Sequence, residues 1–315
     1  MSDASVGLRR ALLWLLGVAL RIDGLLFAGP GLPIFLCLVF MNAPSPASAG
    51  QRLLDWFANL ETCLVAFSGG VDSSVVAKAA ALALRDGAFA VTAKSPSVAQ
   101  RDLAIAREVA AAIGIRHEVV ETSELARPGY VANAPDRCFH CKSELYDHLT
   151  AIRARYATEV IVNGANLDDQ GDHRPGMIAA ANANVRSPLI ECDIDKPTLR
   201  AIAKQWSLPV WDRPASPCLA SRIAYGVEVT PQRLKMIELA EAWLRDLGLR
   251  DLRVRYHEGD LARIEVPLEA IAVLTENNIR QRVETELRQI GFKFVTLDLG
   301  GLKSGSLNQL IQVQL

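Results

Sequence analysis

The sequence predicts an α/β fold: a parallel sheet covered by helices, followed by a smaller C-terminal α+β domain. Three observations predict it. Short apolar runs of strand length alternate with helical stretches up to about residue 164, the rhythm of a parallel sheet covered on both faces. The first run, Leu64–Phe67, enters its helix through a turn bearing two glycines, a geometry that aims free backbone N–H groups past the carboxyl edge of a sheet. Beyond a proline-rich stretch (208–225), the order becomes helix, two strands, helix, strand.

Each element has its own signal. Residues 52–60 carry apolar positions at helical spacing and precede the Leu64–Phe67 strand. Small residues from Ser74 to Ala80 suit a tightly packed helix, and Phe89–Lys94 reads as a second strand. Val98–Ile113 is helical, with Gly114 as its stop. His117–Val120 is a third strand, Arg137–Tyr156 a helix and Val160–Val162 a fourth strand. Asp195 caps a helix that has Pro197 in its first turn and ends near Trp206. Thr230-Pro231 opens another, stopped by Gly248. Leu252–Tyr256, Ala262–Val266 and Lys293–Leu299 read as strands, with one helix over 268–290. The expected domains are 51–227 and 228–315.

Residues 1–50 stand apart. Leu12–Ala19 and Leu25–Phe40 are strongly apolar, but Arg21, Asp23, Pro30, Gly31 and Pro33 interrupt them. No run of about 20 apolar residues is left for a membrane span. Arg9 and Arg10 before an apolar stretch have the form of a signal peptide. The reading preferred here is a non-native or disordered extension from an upstream start codon, with Met41 opening the native N-terminus.

With 315 residues, half of them hydrophobic, the chain has enough material for two domains with substantial cores. A net charge of −1 offers no electrostatic footprint for bulk nucleic-acid binding, so none is expected as a partner. The six cysteines are Cys37, Cys63, Cys138, Cys141, Cys192 and Cys218. In such an α/β chain they read as cytoplasmic thiols for metal binding or catalysis rather than as disulfides.

The turn is Ser68, Gly69, Gly70, Val71, Asp72 and Ser73. Two glycines let the backbone take positive φ and let an anion approach without a Cβ in the way. The helix dipole and unpaired N–H groups attract that anion, and two hydroxyls add donors. Asp72 would repel a bare phosphate and makes sense with Mg²⁺ between them. These features describe a pyrophosphate cradle, whereas an ordinary strand–turn–helix corner leaves six specified positions unexplained. No Gly-Lys-Ser/Thr follows, so the loop is not a Walker A motif. SGGVDS instead resembles the PP-loop of the ATP pyrophosphatase superfamily, which splits ATP into AMP and pyrophosphate. That resemblance implies ATP as cofactor and places adenine and ribose at the sheet edge near Lys94 and Ser95, with Gly164 a further ATP- or pyrophosphate-binding candidate. For Lys94 and Ser95 an ordinary strand end accounts for the residues equally well.

NAPDRCFHCK (Asn133–Lys142) sets Cys138 and Cys141 three apart at a helix start, a spacing that serves one soft metal or a redox pair. Arg137, Lys142 and the helix N-terminus are expected to lower their thiol pKa values. Cys218 is the third thiol, in RPASPCLASR, with Arg213 and Arg222 expected to favour its thiolate. It can attack an adenylylated carboxyl or bind iron. Three cysteines on one [4Fe–4S] cluster would leave one iron open for an exogenous ligand such as sulfide. Cys37, Cys63 and Cys192 have no such setting. His117, His148 and His257 carry no motif.

The stretch after the fourth strand groups Asp168, Asp169 and Asp172 with Arg174 at the ligand edge. The carboxylates can hold Mg²⁺ or orient substrate, Arg174 can take a carboxylate or phosphate, and solvated loop charge is the bland reading. Arg253 and Arg255 alternate on a strand and therefore share a face, where a pair of guanidinium groups suits a phosphate dianion.

The ordered set SGGVDS, NAPDRCFHCK, GANLDDQGDHRPG, SPLIE, RPASPCLASRI, LRVRYHEGDLARIEV and GFKFVTLDLGGLKSGSLN resembles the LarE family over residues 51–315. These are sulfur-inserting enzymes of nickel-pincer cofactor biosynthesis. The resemblance implies adenylylation of a carboxylate of pyridinium-3,5-biscarboxylic acid mononucleotide, then replacement of its oxygen by sulfur. It also implies a homo-oligomer. One family variant sacrifices the sulfur of a single cysteine and leaves dehydroalanine. The other uses three cysteines and an iron–sulfur cluster, and Cys138, Cys141 and Cys218 match it. Arg222, Arg253 and Arg255 fall where the family binds substrate phosphate, and Glu241 lies on the helix that carries a family acidic residue. The rivals are a tRNA thiolase of the same superfamily, an amidating enzyme like GMP or NAD synthetase, and a non-catalytic nucleotide or iron–sulfur sensor.

Overall fold

The computed structural model describes residues 45–170, 175–303 and 305–308. The readings made for residues before 45, for Cys37 and for Asp172 and Arg174 lie outside the described residues. From Pro46 onward the described residues form one compact unit built around two sheets.

The first half runs α1 (Pro46–Ala58), β1 (Cys63–Ala66), α2 (Val71–Leu84), β2 (Ala88–Lys94), α3 (Gln100–Ile113), β3 (Arg116–Glu121), a short α4 (Pro128–Val131), α5 (Arg137–Arg153) and β4 (Val160–Val162). All pairings are parallel and the order is β3-β2-β1-β4. The pleat separates two apolar layers. Cys63 and Val65 of β1 pack with α1, α2 and α3, whereas Leu64 faces Tyr146 and Leu149 of α5 on the other side. Neighbours of β1 lie on both sides and are reached in opposite directions, so its carboxyl end is the switch point where such sheets bind ligands.

Three helices follow: α6 (Pro175–Asn182), α7 (Pro188–Glu191) and α8 (Lys196–Gln205). Asp195 caps α8 by accepting the Thr198 N–H at 2.9 Å. The second half comprises α9 (Pro231–Asp246), β5 (Arg253–His257), β6 (Leu261–Glu265), α10 (Leu268–Thr275), α11 (Asn277–Ile290) and β7 (Phe294–Leu297). β6 pairs antiparallel with β5 and parallel with β7. The one helix expected over 268–290 is two, because Glu276 takes an extended conformation (φ −56°, ψ 133°). The apolar face of α9 (Leu234, Ile237, Ala240, Leu244) packs on Val254, Tyr256 and Ile264, and Tyr130, Leu219, Ala220 and Ile223 join this second core. Sequence-distant residues on either side of the junction therefore share one core.

The two glycines of the turn differ. Gly69 has φ +70°, and a Cβ there would meet the Ala106 Cα of α3 at 2.6 Å. Gly70 is extended (φ −76°, ψ 164°), with Ser68 Oγ 3.4 Å from where its Cβ would stand. Positive φ is thus needed at one position, and close helix approach adds a second demand on it. We expect Gly69→Ala to destabilise by about 2–5 kcal/mol through left-handed strain and overpacking combined. Gly70→Ala should stay within about 1 kcal/mol. Urea midpoints of the two variants check the difference.

Candidate active site

The cradle is built from its own side chains. Ser73 Oγ accepts the Ser68 N–H at 3.2 Å, lies 3.1 Å from Ser68 Oγ, and donates to the Gly70 carbonyl at 3.2 Å. No side chain caps α2, so the N–H groups of its first turn, from Val71, are left to an anion. The segment after β4 closes against this turn: a Cβ on Gly164 would sit 2.7 Å from the Ser73 nitrogen.

Asp72, in the first turn of α2, faces a residue that sequence reasoning missed. Lys196 Nζ lies 2.5 and 2.6 Å from the two Asp72 carboxylate oxygens, and Asn166 Nδ2 donates to the first of them at 3.2 Å. A signal was present, since a lysine as the first residue of a helix sits against the positive end of the dipole. Asp168 and Asp169, read as ligands for metal or substrate, also build this loop. Asp168 Oδ2 accepts the Lys196 N–H at 2.7 Å, and Asp169 Oδ2 accepts the Asn166 N–H at 3.0 Å in a capping box. Lys94 pairs with Glu121 at 2.6 Å on the rim. Ser95 is buried and donates to Glu124.

A buried polar seam ties the Cys218 loop to the segment that carries Cys138 and Cys141. Asn133 is fully enclosed and donates from Nδ2 to the carbonyls of Ala224 and Val227, both at 2.8 Å. Arg137 donates to the Asn133 side-chain oxygen and, at 2.8 Å, to the Ala220 carbonyl. These bonds hold the Cys218 loop against the start of α5, where Cys138 and Cys141 lie. The loop also reaches the turn that follows β2, because Leu219 N–H donates to the Ser97 carbonyl at 2.8 Å. Cys138 is exposed and Cys141 and Cys218 are half-buried. Burial opposes the charge on Arg137, yet the Cys218 and Cys138 thiols favour it and prevail. Cys141 departs from expectation: burial, with Cys218 beside it, pushes its thiol up to about 12 against the influence of Lys142. Arg213 pairs with Asp102 at 2.6 Å, and Arg222 pairs with Glu241 at 3.0 Å while donating to the Cys218 carbonyl at 2.9 Å. Burial alone raises Cys63 to about 12. It likewise leads at Cys192, at about 11. Both sit in the sheet core.

No three His, Cys, Asp or Glu side chains among the described residues are gathered closely enough to hold a metal ion. The donor set itself suits a cluster: three thiols, two of them lodged against one apolar core, with the Arg137 cation beside two of the three. Asp72 beside an anion cradle suits Mg²⁺, which binds through one or two carboxylates plus phosphate oxygens.

Next to the Cys218 loop opens a cleft of about 460 Å³. Its cationic wall is Arg137, Arg253, Arg255 and Lys303, while Pro217, Ser221 and Tyr225 come from the thiol loop and its continuation. Arg255 is paired with Glu265 at 2.8 Å. Arg253 donates to the carbonyls of Leu252 and Ala215 and forms no ion pair among the described residues. Burial, followed by the nearby Arg222 charge, lowers its pKa, the state of a cation short of an anion. Arg222 and Glu241 do not line the cleft. They form a buried pair behind it, at 3% and 2% exposure. Lys303 lies in the last of the quoted motifs but was not singled out there, and Tyr225 had no sequence signal; each joins the wall only through tertiary packing.

Comparison with known proteins sharpens this picture. Residues 60–155 match the asparagine synthase family, which covers the cradle. An uncharacterised protein of Synechocystis sp. is 44% identical over 83% of this chain and 97% of its own length. The pyridinium-3,5-bisthiocarboxylic acid mononucleotide synthase of Lactiplantibacillus plantarum is 35% identical over 84% of this chain and 95% of that protein. The chain belongs to the LarE family. The tRNA-specific 2-thiouridylase of Beijerinckia indica is 30% identical over 49% of this chain and 44% of its own length, so the LarE-family match extends much further. No helix of the described residues is long and apolar enough to cross a membrane.

Proposed function

We propose that this LarE-family chain inserts sulfur into pyridinium-3,5-biscarboxylic acid mononucleotide at the expense of ATP, for nickel-pincer cofactor biosynthesis. The observation that carries the reading is the cation-walled cleft adjoining the Cys218 loop, itself hydrogen-bonded to the turn that follows β2 of the nucleotide-binding sheet. Arg253 and Arg255 hold the substrate phosphate, with Arg137 and Lys303 completing the wall. The β,γ-phosphates of ATP rest on Ser68–Ser73 and the free N–H groups of α2. Lys94 and Ser95 frame the nucleoside end, and Gly164 lets the segment after β4 close on the phosphate cradle. Mg²⁺ held at Asp72 would supply charge neutralisation for the departing pyrophosphate.

The substrate carboxylate oxygen attacks the α-phosphorus, the bond to the bridging oxygen breaks, and pyrophosphate leaves carrying the electron pair. The product is a mixed anhydride with AMP. A sulfur nucleophile delivered at the Cys218 loop adds to its carbonyl carbon, and AMP departs with the former carboxylate oxygen. Cys138, Cys141 and Cys218 would hold a [4Fe–4S] cluster, which when bound supplies an exchangeable sulfide. Free thiols and ATP use suit a cytoplasmic enzyme, and we assign it a homo-oligomeric state.

The test supplies ATP, Mg²⁺, substrate and sulfide to anaerobically purified protein. We expect pyrophosphate release that depends on substrate, products bearing one and then two sulfur-for-oxygen replacements by mass, and about four irons per chain. Pyrophosphate release that follows added tRNA instead, with a gel shift at physiological salt, would overturn the reading.

A further inference from the structure

We propose that Lys196 is an exchangeable counter-ion of the nucleotide site: its ammonium holds Asp72 in the nucleotide-free protein and passes to the ATP phosphates when Asp72 takes a divalent cation. The inference deepens the ATP reading above and rests on it.

Four observations converge. The ammonium is bidentate on Asp72, at 2.5 and 2.6 Å, although 124 residues separate the two in sequence. The pair lies at the mouth of the cradle rather than in the core, with side chains 31% and 30% exposed. Ion pairs so exposed contribute little to stability, so folding alone does not account for it. Lys196 is also the first residue of α8, where a cation opposes the helix dipole. Its backbone is nonetheless fixed: Asp168 accepts its N–H at 2.7 Å, and Asp195 caps the same turn through Thr198. The anchor is rigid while the four-carbon stem is free to swing. A lysine so placed neutralises Asp72 until phosphates arrive and then adds a positive charge to the first-turn N–H groups of α2.

One consequence follows for the order of binding. A metal ion arriving alone must compete with the ammonium for Asp72, whereas one arriving on a nucleotide offers the ammonium new partners. Metal and nucleotide therefore bind as a unit.

The experiment uses the full chain, with free Mn²⁺ measured by electron paramagnetic resonance and α,β-methylene-ATP binding by calorimetry. Wild type should bind Mn²⁺ weakly alone and at least about tenfold more tightly with the nucleotide. Lys196→Met should move the two affinities in opposite directions, binding Mn²⁺ alone more tightly and the nucleotide with Mg²⁺ at least about tenfold more weakly. Lys196→Gln repeats the titrations if the Met variant melts early. A merely structural lysine would not raise metal affinity, so variants that leave both affinities unchanged, or weaken both, overturn the role. Wild type binding Mn²⁺ equally well with and without nucleotide overturns it without any variant. A wild type that binds no nucleotide refutes the ATP reading as well, which separates the two failures.

Discussion

Cys218→Ala is expected to abolish sulfur insertion, by about a thousandfold or more, while substrate-dependent pyrophosphate release stays within about threefold of wild type. The separation follows from how the loop is held. The Cys218 carbonyl accepts from Arg222 Nη1 at 2.9 Å and from Ser221 Oγ at 2.7 Å, and the following N–H donates to Ser97. These are main-chain anchors that alanine keeps, so the variant loses the half-buried sulfur and little else. Its stability should change by no more than about 1 kcal/mol. None of the cradle bonds from Ser68 to Ser73 involves this residue. Pyrophosphate assays beside mass analysis of the product settle the matter. Sulfur transfer retained in the variant would sink the assignment, and loss of both half-reactions would mean that the loop serves ATP as well.

The second large effect is one of stability. Glu241 joins three elements: it accepts from Arg222 Nε at 3.0 Å, Arg245 Nη2 at 2.7 Å and the Val254 N–H at 3.2 Å. Burial opposes its ionisation, but Arg222 and then Arg245 outweigh burial and hold the carboxyl below the usual range. Removing one partner of such a pair strands the other charge, so Glu241→Ala should cost about 3–5 kcal/mol. The sign with pH follows from the depressed value. The stabilisation is complete above about pH 4.3, the ordinary glutamate pKa, and is lost as pH falls through the lower folded-state value. Urea melts of wild type and variant at pH 7 and pH 3.5 should show the gap narrowing in acid. A gap of constant width would exclude ionised Glu241 as its source. Arg222 also carries the Cys218 carbonyl, so the variant should lose sulfur transfer along with its stability.

Much of this was legible because local chemistry dictated it. The glycine turn of β1, the Gly114 stop and the Asp195 and Thr230 caps are short-range signals, and the structure has each where the pattern put it. The LarE-family motifs were equally readable in order. What stayed hidden depended on partners far along the chain. Lys196 meets Asp72 across the sheet edge, and nothing in Asp195-Lys196-Pro197 names that partner. Asp168 and Asp169 carry the charge of ligands, and one oxygen of each also takes a backbone N–H, a structural use that the sequence reading left out. An Asn-x-x-Asp capping pattern at Asn166–Asp169 was the missed clue. For Cys141 the pull of Lys142 was read correctly but burial and the neighbouring Cys218 were not, and burial prevails. The break at Glu276 leaves no glycine or proline to mark it.

Asn133 gives the molecule a mechanical character. A single amide supplies donors to carbonyls of a stretch that has no ladder of its own, and it does so with no access to water. Pulling that stretch away would bare those carbonyls together, so the amide rivets the continuation of the Cys218 loop to the segment just before α5.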